Sequence, residues 1–163
     1  MRTSTTQSLA AGFLGVLLGV VQIVGLAQSS NSEIGTWQLN VAKSTFSGGV
    51  PLKSGTTKIE AAGAGIKTTV DVVRDDGTVA HNEFMTNDDG KDNPIVGNSA
   101  QGDMIARTRI NATTVKMVNK KDGTVTTIQT SVISEDGKTR TLTTTGTNAS
   151  GRTVNNVLVW NKQ

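Results

Sequence analysis

Residues 113–133 read TTVKMVNKKDGTVTTIQTSVI. Apolar and β-branched residues alternate with polar ones on both sides of Lys121-Asp122-Gly123. A period of two puts alternate side chains on one face of a pleated strand. β-branched side chains lose entropy in a helix and fit a pleated surface. Asp-Gly between two such runs marks a tight reversal, because glycine tolerates positive φ. The stretch predicts a β-hairpin with strands over 113–119 and 124–133.

The same chemistry continues outward. Asp75-Asp76-Gly77, Asp88-Asp89-Gly90 and Glu135-Asp136-Gly137 repeat the turn signal. Ala62-Gly63-Ala64-Gly65 and Asn111-Ala112 supply further reversals. Strands are expected near 34–40, 55–61, 65–74, 78–87, 103–110, 138–146 and 152–160, with a short one near 92–96. The segments 73–79 and 118–125 echo each other, which suggests one hairpin solution used twice. No stretch sustains apolar residues at helical spacing. Successive hairpins imply an up-and-down sheet, and closing it removes the exposed edges. The expected fold is all-β, a single antiparallel up-and-down barrel of about eight to ten strands.

The start of the chain has a different character. Arg2 precedes a polar stretch, and residues 9–26 form an apolar run ending in Gly25-Leu26-Ala27. This is the layout of a secretory signal cleaved before Gln28. The expected organisation is a signal peptide over 1–27, a short flexible lead-in over 28–33 and the barrel domain over 34–163. A secreted or periplasmic location follows. Losing Arg2 lowers the formal charge from +3 to +2. So weak an excess gives no reason to expect nucleic acid. There is no cysteine, which excludes disulfides and thiol chemistry. After cleavage no other segment is apolar enough to insert stably in a membrane.

Catalytic signals are sparse. His81 is the sole histidine, and acid–base triads and metal sites need convergent partners. A surface or structural role is expected for it. Asn87-Asp88-Asp89-Gly90-Lys91-Asp92 resembles a calcium loop only in its oxygen ligands, since Lys91 interrupts it and no distal Glu follows. A plain turn is expected there. Arg107 and Arg109 lie two apart and share a face, with Arg140 on a later strand. Turned inward, their guanidinium forks suit a carboxylate or phosphate headgroup. Met104, Ala106 and Ile110 on the other face read as core, which favours the outward orientation. Phe84, Met117 and Trp160 are further candidate ligand contacts. With so few aromatic residues, the interior is expected to be lined by Val, Ile and Thr, leaving space for a cavity.

Glu33-Ile34-Gly35-Thr36-Trp37-Gln38-Leu39 adds a family resemblance. A Gly-x-Trp opening a small exported β-protein resembles the calycin superfamily of lipocalins, fatty-acid-binding proteins and avidins. The resemblance implies that Gly35 and Trp37 close the barrel floor, with a basic residue near the last strand, Lys162 or Arg152, packed over the indole. The run from Gly35 to Phe46 is similar to the opening of avidins. Gly35-Thr36-Trp37-Gln38-Leu39-Asn40, Asp89-Gly90-Lys91-Asp92-Asn93-Pro94 and Gly146-Thr147-Asn148-Ala149 together resemble bacterial exported lipocalin-like proteins. Two features depart from fatty-acid-binding proteins. Residues 41–54, with Gly48-Gly49-Val50-Pro51, leave no room for a two-helix lid. The Arg-x-Tyr positions of the last strand fall on Leu158 and Trp160.

The resulting expectation is a monomeric, non-enzymatic binding protein with no cofactor and no metal. It would hold a small hydrophobic or amphipathic ligand in its barrel. The alternative is a barrel with a filled interior that acts through its surface at the cell envelope.

Overall fold

A computed structural model describes residues 31–163. The expected signal peptide lies outside the described residues. Ten strands follow in order: β1 Gly35–Thr45, β2 Leu52–Ala62, β3 Gly65–Arg74, β4 Val79–Thr86, β5 Asp89–Gly97, β6 Met104–Arg109, β7 Thr114–Lys121, β8 Thr124–Ile133, β9 Thr139–Thr147 and β10 Thr153–Lys162. Each pairs antiparallel with its sequence neighbour, and β1 pairs with β10 to close the barrel. Among the described residues no helix is long and apolar enough to cross a membrane.

Turn chemistry explains most of the connections. Asp122 and Gly123 both have positive φ, 49° and 79°, as a two-residue type I′ hairpin requires. Asp76 and Asp136 each accept a hydrogen bond from the backbone N–H two residues on, at Thr78 and Lys138. Gly77 and Gly137 then take positive φ. The echo between 73–79 and 118–125 therefore hides two different turns. The Asp76-Gly77 solution recurs at Asp136-Gly137 instead.

Asp88-Asp89-Gly90 departs from its turn reading. β5 already begins at Asp89, and Gly90 sits at positive φ inside it, where the register with β6 shifts between Asp89 and Asp92. A positive-φ glycine in a strand produces a bulge as readily as a turn. The thinnest seam in the wall is β4–β5, with three register pairs from Asn82 to Phe84.

Alternating up and down, the strands put the links at 62–65, 86–89, 109–114 and 133–139 at one end, with residues 31–35 and the chain terminus. That end is closed by Trp37, which is fully buried. Its indole N–H donates to the Glu33 carbonyl at 2.8 Å. Lys162 pairs with Trp37 across β1–β10, and its Nζ lies 5.1 Å from the indole centroid. The same ammonium donates to the Ser32 carbonyl at 2.9 Å. Gly35 is required twice over. Its φ is +137°, and a Cβ there would stand 2.8 Å from Lys162 Cε.

Lys162 is thus the basic residue over the indole. Arg152 is not: it lies in the β9–β10 loop at the opposite end, exposed. Strand β10 runs between the two, and its last residue is the one in register with Trp37.

Gly35→Ala is expected to cost about 1–3 kcal/mol, through backbone strain and the collision with Lys162. Lys162→Met is expected to cost about 0.5–2 kcal/mol. Arg152→Ala should leave stability unchanged. Urea unfolding followed by tryptophan fluorescence measures all three.

Candidate functional site

The inward faces of the strands enclose a cavity of about 570 Å³. It reaches the end opposite Trp37, where Gly48-Gly49-Val50, Asp76, Asn98 and Ser150 from four connecting loops form the rim. The lining is mixed. Val70, Phe84, Ile105, Met117, Leu142 and Leu158 supply apolar surface, while Thr57, Thr68, Asn119, Gln129 and Thr144 supply hydroxyls and amides. β-branched Thr satisfies the strand and leaves a polar atom inside, so the wall is amphipathic by the same choice that makes it β.

Of the residues singled out from sequence, Phe84, Met117, Trp160 and Arg140 line this cavity. Trp160 is 2% exposed. Gly55 on β2 makes room for its ring: a Cβ there would meet Trp160 Cη2 at 3.1 Å.

Arg107 and Arg109 do not face solvent as the pattern of β6 favoured. Ile105, 1% exposed, marks the inward face of β6, and Arg107 shares it at 3%. Ile110 on the supposed core face is 58% exposed. Both faces of β6 carry apolar residues, so alternation alone did not separate them. What turns the arginines inward is a pair of carboxylates from distant segments. Arg107 bonds to Glu33 and to Asp88. Arg109 donates to Asp88 Oδ2 through Nε at 2.6 Å and to Glu33 Oε2 through Nη2 at 2.7 Å. Burial works against the Arg109 charge, but the hydrogen bonds to Glu33 and Asp88 prevail and raise its pKa above the ordinary value. These four residues form a charge-balanced floor beyond the cavity, and Arg107 and Arg109 are not among the lining residues.

Glu33 was expected in a flexible lead-in. It is instead 3% exposed, held by its carbonyl to Trp37 and by its carboxylate to both arginines. No local sequence signal marks it, because its partners lie 74 and 76 residues away.

Arg140 differs from the other two. It is buried, and among the described residues its hydrogen bond is from Nε to Ser131 Oγ at 2.9 Å. It makes no ion pair with a described carboxylate. Burial pushes its pKa down to about 10, opposed by the charge of Glu33 and assisted by that of Arg107. Next to it in register on β10, Trp160 has a buried indole N–H with no acceptor among the described residues.

His81 lies on the outer wall, over half exposed, with Nδ1 2.6 Å from Asp71 Oδ1. The acidic residues of 87–92 engage cations. Asp88 holds the two arginines, and Asp92 accepts from Lys120 at 2.7 Å.

No protein-family model matches this chain, and no curated protein matches it. Among solved structures it is similar to a zebrafish ileal bile acid-binding protein complexed with cholic acid. The two share 16% sequence identity over 81% of this chain and 99% of that one, with a TM-score of 0.47.

Two outcomes test this electrostatic layout. Glu33→Ala leaves Arg107 buried with one partner fewer, and is expected to cost about 3–5 kcal/mol. Adding Arg107→Met should restore much of that loss in a double-mutant cycle. Arg140→Met should instead stabilise the empty protein at neutral pH, on the order of 2 kcal/mol. The sign follows from the folded pKa lying below the unfolded one. A base of this kind opposes folding while charged in both states, and the penalty fades as pH rises through about 10. The gain from Arg140→Met should therefore shrink above that pH, read from paired urea midpoints.

Proposed function

We propose that this protein is an exported binding protein that holds one small hydrophobic or amphipathic molecule inside its barrel. The observation that carries this reading is the cavity of about 570 Å³ with a mixed lining and an opening among the loops. Small-molecule sites typically fall at roughly 300–1,000 Å³, mostly apolar with a few placed polar groups. Burial of ligand surface against Val70, Phe84, Met117 and Leu158 supplies the affinity. The polar wall residues fix orientation. A cavity of this size gives no support to the alternative of a filled barrel acting through its surface.

The rest of the proposal rests on sequence and chemistry. Export to the periplasm or beyond follows from residues 1–27. A monomer is favoured because closure of β1 on β10 leaves no sheet edge for a second copy to extend. A binding role rather than an enzymatic one is favoured because His81 is turned away from the cavity and paired with Asp71. No cofactor and no nucleic-acid partner are proposed.

The neutral dye N-phenyl-1-naphthylamine tests cavity binding. Protein stripped of bound lipid by organic extraction is expected to enhance its fluorescence with one saturable site. Thr68→Phe, which places a ring in the cavity, should weaken that binding by about tenfold or more. A stripped, folded protein that leaves the dye dark would sink the proposal. So would unchanged binding by a folded Thr68→Phe variant.

A further inference from the structure

We propose that Arg140 and Trp160 form a headgroup site in this cavity, and that the ligand is an amphiphile carrying a single carboxylate. The inference rests on the cavity being a binding site and adds the chemical class of what it binds.

Three observations lead to it. The first is the distribution of interior charge. Glu33 and Asp88 answer Arg107 and Arg109, two negative groups for two positive. Arg140 remains as a buried cation with a hydroxyl for a partner, and it lines the cavity. A buried guanidinium without an anion is costly, and a ligand that brings one negative charge removes that cost.

The second observation is which donors are already used. Ser131 occupies Nε–H. The two terminal nitrogens remain, and they form the end-on fork that matches the two oxygens of a planar carboxylate.

The third is the neighbouring orphan. Trp160 sits directly across from Arg140 in the β9–β10 register, and both side chains line the cavity. Cross-strand partners bring their Cβ atoms within about 4.5–5.5 Å. Among the described residues, the buried Trp160 indole N–H has no acceptor. An oxygen held at Arg140 is the acceptor that the cavity can bring to it. Buried polar groups almost always have partners, and exceptions point to something that completes them. The apolar tail then runs along Phe84, Val70 and Leu158 toward the loop end.

The mouth offers a rival location. Arg74 and Arg152 line the rim of the same cavity. Exposed to water, they would attract an anion without fixing it, and their contribution would be screened by salt.

Competition against N-phenyl-1-naphthylamine separates these cases, using dodecanoate and 1-dodecanol at about pH 8, where the acid is ionised. The stripped wild-type protein is expected to take dodecanoate about tenfold or more tighter than the alcohol. Arg140→Met should lose that preference, with each competitor referred to the variant's own dye affinity, while keeping its folded spectrum. Trp160→Phe should lose a smaller part. Arg74→Ala/Arg152→Ala should keep the preference, and it should survive added salt. Equal binding of acid and alcohol by wild type overturns the headgroup site and leaves the cavity proposal standing. A preference that persists in Arg140→Met, or disappears in the rim variant, overturns it too. An unaltered preference in Trp160→Phe removes the indole from the site. Failure of the wild type to bind the dye at all removes the cavity proposal and this inference together.

Discussion

The hydrogen bond from the Trp37 indole to the Glu33 carbonyl holds the closed end of the barrel together. It ties the segment before β1 to the first buried residue of the wall. Lys162 reinforces the tie from the other side of the closure, stacking on the same indole and capping the Ser32 carbonyl. Gly35 permits both by having no side chain where Lys162 passes. With the backbone fixed there, the Glu33 side chain reaches into the barrel and meets Arg107 and Arg109. The first and last strands, the lead-in and the charged floor are thus consequences of one small set of contacts around one indole.

That geometry determines how charge is distributed inside. A closed wall of hydrogen-bonded strands leaves few exits for a buried cation. β6 turns two arginines inward and needs two carboxylates near the floor. Glu33 arrives from before β1, and Asp88 from the β4–β5 link. Both are then used up. Arg140, the second residue of β9, gets influence from Glu33 but no contact with it. Its placement in the Thr-lined interior, beneath the charged residues of the rim, is destabilising by itself. Fold stability gives no reason for it, whereas an anionic ligand does.

Much of the fold was legible in the sequence. Asp-Gly dipeptides between β-branched runs placed most reversals, because positive φ at a defined point is a local demand. Gly35-x-Trp37 was legible for a similar reason, as a backbone need and a large apolar ring two residues apart. The errors arose where the deciding partner was remote. Gly90 has the chemistry of a turn, but β6 across the seam turns it into a bulge. Arg107 lies on a strand with apolar residues on both faces, and only two carboxylates from distant segments determine which way it points. Glu33 looked like linker because nothing beside it in sequence is its partner. Arg140 and Trp160 were visible as candidates. Their adjacency depends on the β9–β10 register, which pairs the ninth strand from near its start with the tenth near its end.

The two kinds of arginine also differ in what substitution reveals. Removing a partner from the floor leaves a charge stranded, so stability falls and cavity binding is affected only indirectly. Removing Arg140 strands no charge, because no described carboxylate depends on it, and leaves the Ser131 hydroxyl without its donor. The empty barrel is expected to gain stability and to lose the buried cation that an anion would answer. A residue retained at a cost to the empty fold is the signature of a group kept for a ligand. The cost is met by ten strands paired around a complete circuit and by a core that includes Ile105, Met117, Leu142 and Leu158 of the cavity wall. The Thr-rich lining follows from the same constraint. It maintains the β wall without filling the space, and leaves Arg140 the one cation beneath the rim among the described residues that line the cavity.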